Sequence, residues 1–220
     1  MKKILLVIIC VSAMAMIKPS KHKVIFFGDS ITQMGINEGG YIKRIQKVID
    51  DSHLQNKYTL TGAGVGANKV YDLYLRLEED VLDKKPTIVV IWIGINDVWH
   101  KTSGIGTDIE KYERFYRALI KKMQAKKIKL VLVTPAAIGE KFDGSNPQDA
   151  DLDLYCDVIR KLAVEYQCKL ADLRKTFMRY EKENNTSNAE SGILTTDRVH
   201  LNDKGNQLAA DEIWKQLKAF

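Results

Sequence analysis

The sequence predicts an α/β fold built on a five-stranded parallel sheet, and three observations carry that prediction. Short β-rich runs alternate with longer helical patterns along the chain, the order expected of βαβ units. The runs at 87–93 and 128–133 are almost wholly apolar, as strands covered by helices on both faces should be. Glycine and polar clusters follow the first three strands, on the edge where sheets of this kind gather functional groups.

Taken in order, the chain opens Met1-Lys2-Lys3, continues with an apolar run from Ile4 to Ile17 broken only by Ser12, and then turns polar at Lys18. A basic start, a short apolar core and the small-residue pattern Ala13-Met14-Ala15 match a secretory signal at 1–15, with cleavage after Ala15 or as late as about residue 20. The alternative is an uncleaved anchor, although a comfortable membrane span needs roughly 20 residues. Bulky Ile9 precedes Cys10, so Cys10 belongs to the apolar core of the signal rather than to a lipid-modified start.

Strands are expected at 24–27, 58–61, 87–93, 128–133 and 169–171, each rich in Val, Ile or Phe, or bounded by Gly, Pro or charged residues. Helices are expected at 40–51, 68–83, 108–126, 150–166, 172–184 and 203–218. In the fourth of these, Leu152, Tyr155, Cys156, Ile159, Leu162 and Tyr166 recur at helical spacing, which buries Cys156. A helix reaching about Gln167 puts Cys156 too far from Cys168 for a disulfide, so two thiols are expected.

With 220 residues, 45% of them hydrophobic, and only 14 Gly and 4 Pro, the chain can bury a sizeable core and is read as one domain over 22–220. The formal charge of +6 falls to +4 once Lys2 and Lys3 are removed. The two signs are interspersed, and Lys121, Lys122, Lys126, Lys127 and Lys129 gather at a helix end without aromatics, so no nucleic-acid partner is implied. Asp149, Asp151 and Asp153 alternate like a calcium loop, but Leu154 and Arg160 stand where its Gly and Glu should be; they read instead as acids of a helix N-terminus. His22, His53 and His100 show no ligand spacing. No metal and no organic cofactor is expected.

Four clusters fall on one edge of the expected sheet: Gly28-Asp29-Ser30-Ile31, the glycine-rich Thr61 to Asn68, Gly94-Ile95-Asn96-Asp97, and Asp197-Arg198-Val199-His200. A serine hydroxyl is a weak nucleophile that needs an adjacent base, itself oriented by a third group. Ser30, His200 and Asp197 can fill those roles, because a turn three residues long can bring the carboxylate to one imidazole nitrogen and leave the other free. The Ser30 and Gly66 N–H groups and the Asn96 amide can serve as donors to a developing oxyanion. Each piece alone is ordinary turn chemistry, so the case rests on their conjunction.

Those blocks, in this order, resemble the four sequence blocks of the SGNH hydrolases, also called GDSL esterases/lipases. The resemblance implies a flavodoxin-like three-layer α/β/α sandwich, with Ser30 as nucleophile, His200 as base, Asp197 as its orienter, and Ser30, Gly66 and Asn96 as oxyanion donors. The glycine block is the loosest match, since family members often carry Asn where this chain has Thr61-Gly62. Thr32 stands where the second Gly of a G-x-S-x-G elbow would be, which argues against the α/β-hydrolase fold. The expected activity is an exported serine esterase acting on short acyl esters, above all acetyl esters of a carbohydrate. No stable membrane insertion is expected after signal cleavage. The alternatives are a lysophospholipase or thioesterase acting on longer chains, and a non-catalytic carbohydrate-binding module. Tyr41, Trp99 and His100 are the candidate wall for a sugar ring.

Overall fold

The computed structural model describes residues 21–220; the expected signal segment and Cys10 lie outside them. Five parallel strands, β1 (His22–Gly28), β2 (Tyr58–Gly64), β3 (Ile88–Trp92), β4 (Lys129–Val133) and β5 (Lys169–Ala171), form one sheet in the order β2-β1-β3-β4-β5. Both faces are covered. Helices α2 (Tyr41–Asp51), α7 (Leu173–Asn184) and α8 (Asp203–Leu217) pack together on one side. Helices α3 (Val70–Leu75), α5 (Ile109–Ala125) and α6 (Asp149–Glu165) pack together on the other. β3 is buried along its whole length, as its apolar sequence requires. None of the helices among the described residues is long and apolar enough to cross a membrane.

Helix starts follow local capping chemistry. Asp108 and Asp172 accept the amides of Lys111 and Lys175, and Asn202 accepts that of Gly205, so α5, α7 and α8 begin where a short polar side chain meets free N–H groups. Asp149 and Asp151 do lie in the first turn of α6, and Asp149 and Asp153 also pair with the buried Arg174. Cys156 is a buried free thiol on α6 and Cys168 a partly buried one.

Four elements depart from the sequence reading. β2 continues through Gly62 and Ala63 to Gly64, which pairs with Gly28. Backbone pairing needs no side chain, and a Cβ on Gly64 would come within 2.1 Å of the Gln33 nitrogen, so only glycine lets the strand pass this close to the helix that follows β1. The helix expected at 68–83 is divided into α3 and a π-helical turn at Glu78–Leu82, with Arg76 at the break. Two five-residue helices, α1 (Ser30–Met34) and α4 (Ile95–Trp99), stand where loops were expected; they are too short to show periodicity.

The strand order reverses direction at β1: the chain moves to one side for β2 and to the other for β3, β4 and β5. Between the carboxyl ends of β1 and β3 therefore lies a switch-point crevice, the usual ligand position in open α/β sheets. Ser30 follows β1 and Asn96 follows β3, so both sit at its mouth.

Candidate active site

Ser30 is the first residue of α1, whose N-cap Asp29 accepts the Ile31 amide at 3.0 Å. At this position the Ser30 N–H has no carbonyl one turn back and is left pointing out of the helix. The Ser30 Oγ lies 2.9 Å from His200 Nε2, and His200 Nδ1 lies 2.6 Å from Asp197 Oδ2. A carboxylate at Asp197 only accepts, so Nδ1 carries the proton and Nε2 is the acceptor for the serine hydroxyl.

Asp197 also builds the turn that presents His200. Its Oδ1 accepts the Val199 amide at 3.2 Å and the His200 amide at 2.7 Å, while Arg198 between them takes a left-handed conformation, φ 82°. Burial works against a charge on Asp197, but the hydrogen bonds from the His200 ring and from the two amides outweigh it and hold the carboxyl below the usual carboxylate range. The Asp197 side chain is half exposed and that of His200 24% exposed, so the relay is reachable from solvent.

Asn96, only 2% exposed, is the second residue of α4. Gly94 precedes that helix with φ 129°, a conformation other residues rarely adopt, and so turns the chain sharply out of β3. The Asn96 Nδ2 donates to the Asn68 carbonyl at 3.1 Å. Gly66 lies in the turn between β2 and α3, two residues before Asn68, with the Gln33 side chain beside it. The Val70 amide that opens α3 donates to the Asp97 carboxylate at 3.2 and 3.3 Å, tying the glycine block to the Asn96 block.

Of the aromatic candidates, Tyr41 is overturned as a sugar wall. It is fully buried, donates to Thr32 Oγ1 at 3.1 Å and packs edge-on against Phe26 and Trp92. Trp99 does stand at the site, edge-on to His200 with ring centroids 6.3 Å apart, and tilts against His100. Burial, reinforced by Lys69, lowers the pKa of His100 and favours its neutral ring.

Charged residues beneath the site carry functions that the sequence did not disclose. Arg76 donates to the carbonyls of Gly28 and Ala63, at the ends of β1 and β2, and to the Asn68 side chain, and it pairs with Asp80. Its guanidinium lies 4.5 Å from the centre of the Phe27 ring. Burial pushes the Asp29 carboxyl up to about 7 and that of Asp97 up to about 6. An i,i+4 Arg and Asp on a helix read as a solvated pair in sequence, so nothing marked Arg76 as the tie between the ends of β1 and β2.

Residues 26–208 match the GDSL-like lipase/acylhydrolase family. An acetylxylan esterase of Geobacillus stearothermophilus is 27% identical over 214 residues, covering 90% of this chain and 94% of that protein. The crystal structure of the acetyl xylan esterase AlAXEase is 57% identical, covers 88% of this chain and 98% of its own, and superposes with a TM-score of 0.87. Structures of the Geobacillus enzyme, 25–26% identical with TM-scores of 0.79 to 0.80, include catalytic mutants at a serine, an aspartate and a histidine. The chain is therefore a serine esterase that belongs to the GDSL-like lipase/acylhydrolase family.

Proposed function

We propose that this esterase is exported and removes acetyl groups from a carbohydrate, with Ser30 as nucleophile, His200 as general base and acid, and Asp197 as the orienting carboxylate. The observation that carries the reading is the unbroken relay Ser30 Oγ, His200 Nε2, His200 Nδ1, Asp197 Oδ2, at 2.9 and 2.6 Å, in the switch-point crevice. In the first half-reaction Oγ attacks the acetyl carbon while Nε2 takes its proton. The carbonyl oxygen becomes an oxyanion received by the Ser30 N–H, the Gly66 N–H and the Asn96 amide. Collapse expels the sugar oxygen, which takes the proton from His200 and leaves acetyl-Ser30. Water then attacks with His200 again as base, releasing acetate and the serine hydroxyl.

Two features favour a short acyl group on a polar alcohol. The segments leaving β1 and β3 at the crevice are five-residue helices, and neither carries an apolar insertion that could cover a long chain. Trp99 beside His200 offers an aromatic face at the position where the alcohol would rest. The acetyl xylan esterases to which the chain is similar support the same substrate class. Acetyl, butyryl and decanoyl esters of one chromogenic alcohol should be cleaved in falling order, and acetate should be released from acetylated xylan or pectin. Preference for decanoyl together with no acetate from either glycan contradicts the reading and supports a lipid substrate.

A further inference from the structure

The loop that bears Asp197 and His200 lies outside the strand ladders of the sheet, yet its base is tied down by a carboxylate on another segment. Glu140, fully buried, accepts three backbone amides: Leu194 and Thr195 both donate to Oε1 at 2.6 Å, and Ile193 donates to Oε2 at 2.8 Å. Bonds of this charge-assisted kind are short and strong, and a buried carboxylate is tolerated only when its oxygens are so satisfied. Thr195, at the centre of this cradle, bridges to Leu201, and its Oγ1 accepts the Arg198 amide at 3.1 Å. The Thr196 amide donates to the His200 carbonyl at 2.8 Å, and Gly139 donates to the carbonyl of Arg198 at 2.9 Å. The backbone between Thr195 and His200 is therefore referred to residues 139 and 140.

The anchor is itself held. Asn185, the buried residue that ends α7, donates to the Glu140 carbonyl at 2.7 Å and to that of Ala189 at 2.8 Å. The Glu140 amide donates to the Glu190 carbonyl at 3.1 Å. We propose that Glu140 is a positioning residue: its carboxylate fixes residues 193–195 and through them sets the distance at which Asp197 and His200 meet Ser30. The inference rests on the roles assigned above to those three residues. Catalysis is sensitive to such placement, since a misplacement of about 1 Å can cost roughly 10²-fold in rate. Glu181, which lies near Glu140 and whose buried Oε1 has no partner among the described residues, makes none of these bonds to the loop and supplies a control of similar burial.

The test uses the whole protein and a chromogenic acetate ester. Glu140→Gln keeps an acceptor for Leu194 and Thr195 but turns an amide donor toward the Ile193 N–H; kcat should fall about 10-fold with KM within about 2-fold. Loosening Asp197 from His200 weakens support for the imidazolium, so the acid limb of kcat/KM should move to lower pH. The downfield proton resonance of His200 Nδ1 should broaden or vanish in Glu140→Gln and persist in Glu181→Gln. Glu140→Ala should show the larger loss; where it does not fold, Glu140→Gln carries the test. A folded Glu140→Gln with wild-type kcat, acid limb and resonance overturns the proposal. So does a fall in kcat with limb and resonance unchanged, which would mark a merely structural role. Labelling of the wild type by a serine-directed phosphonate separates the two levels: no adduct on Ser30 refutes the catalytic assignment, whereas with an adduct on Ser30 the behaviour of Glu140→Gln alone decides whether Glu140 positions the loop.

Discussion

The side-chain amide of Asn96 is held by the backbone carbonyl of Asn68, 3.1 Å away. A carbonyl can only accept, so the NH2 end of the amide must face it, and the second amide hydrogen is left for another acceptor. The glycine block thus aims a donor that belongs to the next block. Asn96→Ala is expected to lower kcat by about 10² to 10³ with little change in KM, the behaviour of a donor that acts on the oxyanion alone. Steady-state kinetics on an acetate ester check it; a raised KM at constant kcat would assign Asn96 to ground-state binding.

Ser30→Ala and His200→Ala should each remove nearly all activity while leaving the thermal midpoint close to wild type, because neither contributes to the core. The double variant should be no worse than either single one, since the two act as a unit. Asp197→Asn should cost roughly 10⁴ in kcat, given that the amide no longer fixes the tautomer of His200. Retention of near wild-type turnover in either single variant would show that the nucleophile or the base lies elsewhere.

Arg76→Lys replaces a planar fork by a point charge that cannot reach the Gly28 carbonyl, the Ala63 carbonyl and the Asn68 side chain together. A loss of about 1–3 kcal/mol in urea unfolding is expected from the carbonyls left unpaired. Because Asn68 also steers Asn96, kcat should fall in the same variant. Unchanged stability and unchanged kcat would show that Arg76 supports neither the strand ends nor the site.

Glu181 gives a pH dependence of stability whose sign can be worked out. Burial first, and Glu140 second, raise its carboxyl from an ordinary 4.5 to about 8. Between those values the folded protein keeps a proton that the unfolded chain has lost. Stability is therefore full below about pH 4.5 with respect to this group and falls as pH rises toward 8. The loss is on the order of 5 kcal/mol as an upper bound. Glu181→Gln cannot ionise and should lack that slope, so its thermal midpoint should exceed that of wild type by a growing margin from pH 5 to about 9. Parallel curves for the two proteins would refute the assignment.

Much of this architecture was legible in the chain. The alternation of apolar strands with periodic helices marked out the layers, and the chemistry of Gly-Asp-Ser and Asp-x-x-His pointed to Ser30, Asp197 and His200, which the fold brings into one hydrogen-bonded chain. What stayed hidden depends on distant partners. Residues 62–64 fell outside the strand expected at 58–61 because strand propensity lives in side chains, whereas the need at Gly64 is for the absence of one against α1. Glu140 sits in a polar stretch that looks solvated, and only the fold brings residues 193–195 onto it. Tyr41 lies close in sequence to a catalytic block yet packs into the core, since proximity along the chain does not fix which way a helix faces.

The most direct measurement of the central assignment is intact-mass and peptide mapping after reaction with a serine-directed phosphonate. The relay of Ser30, His200 and Asp197 requires a single adduct on Ser30, slowed strongly in His200→Ala and absent in Ser30→Ala. An adduct on another residue, or unaltered labelling of Ser30→Ala, would contradict it.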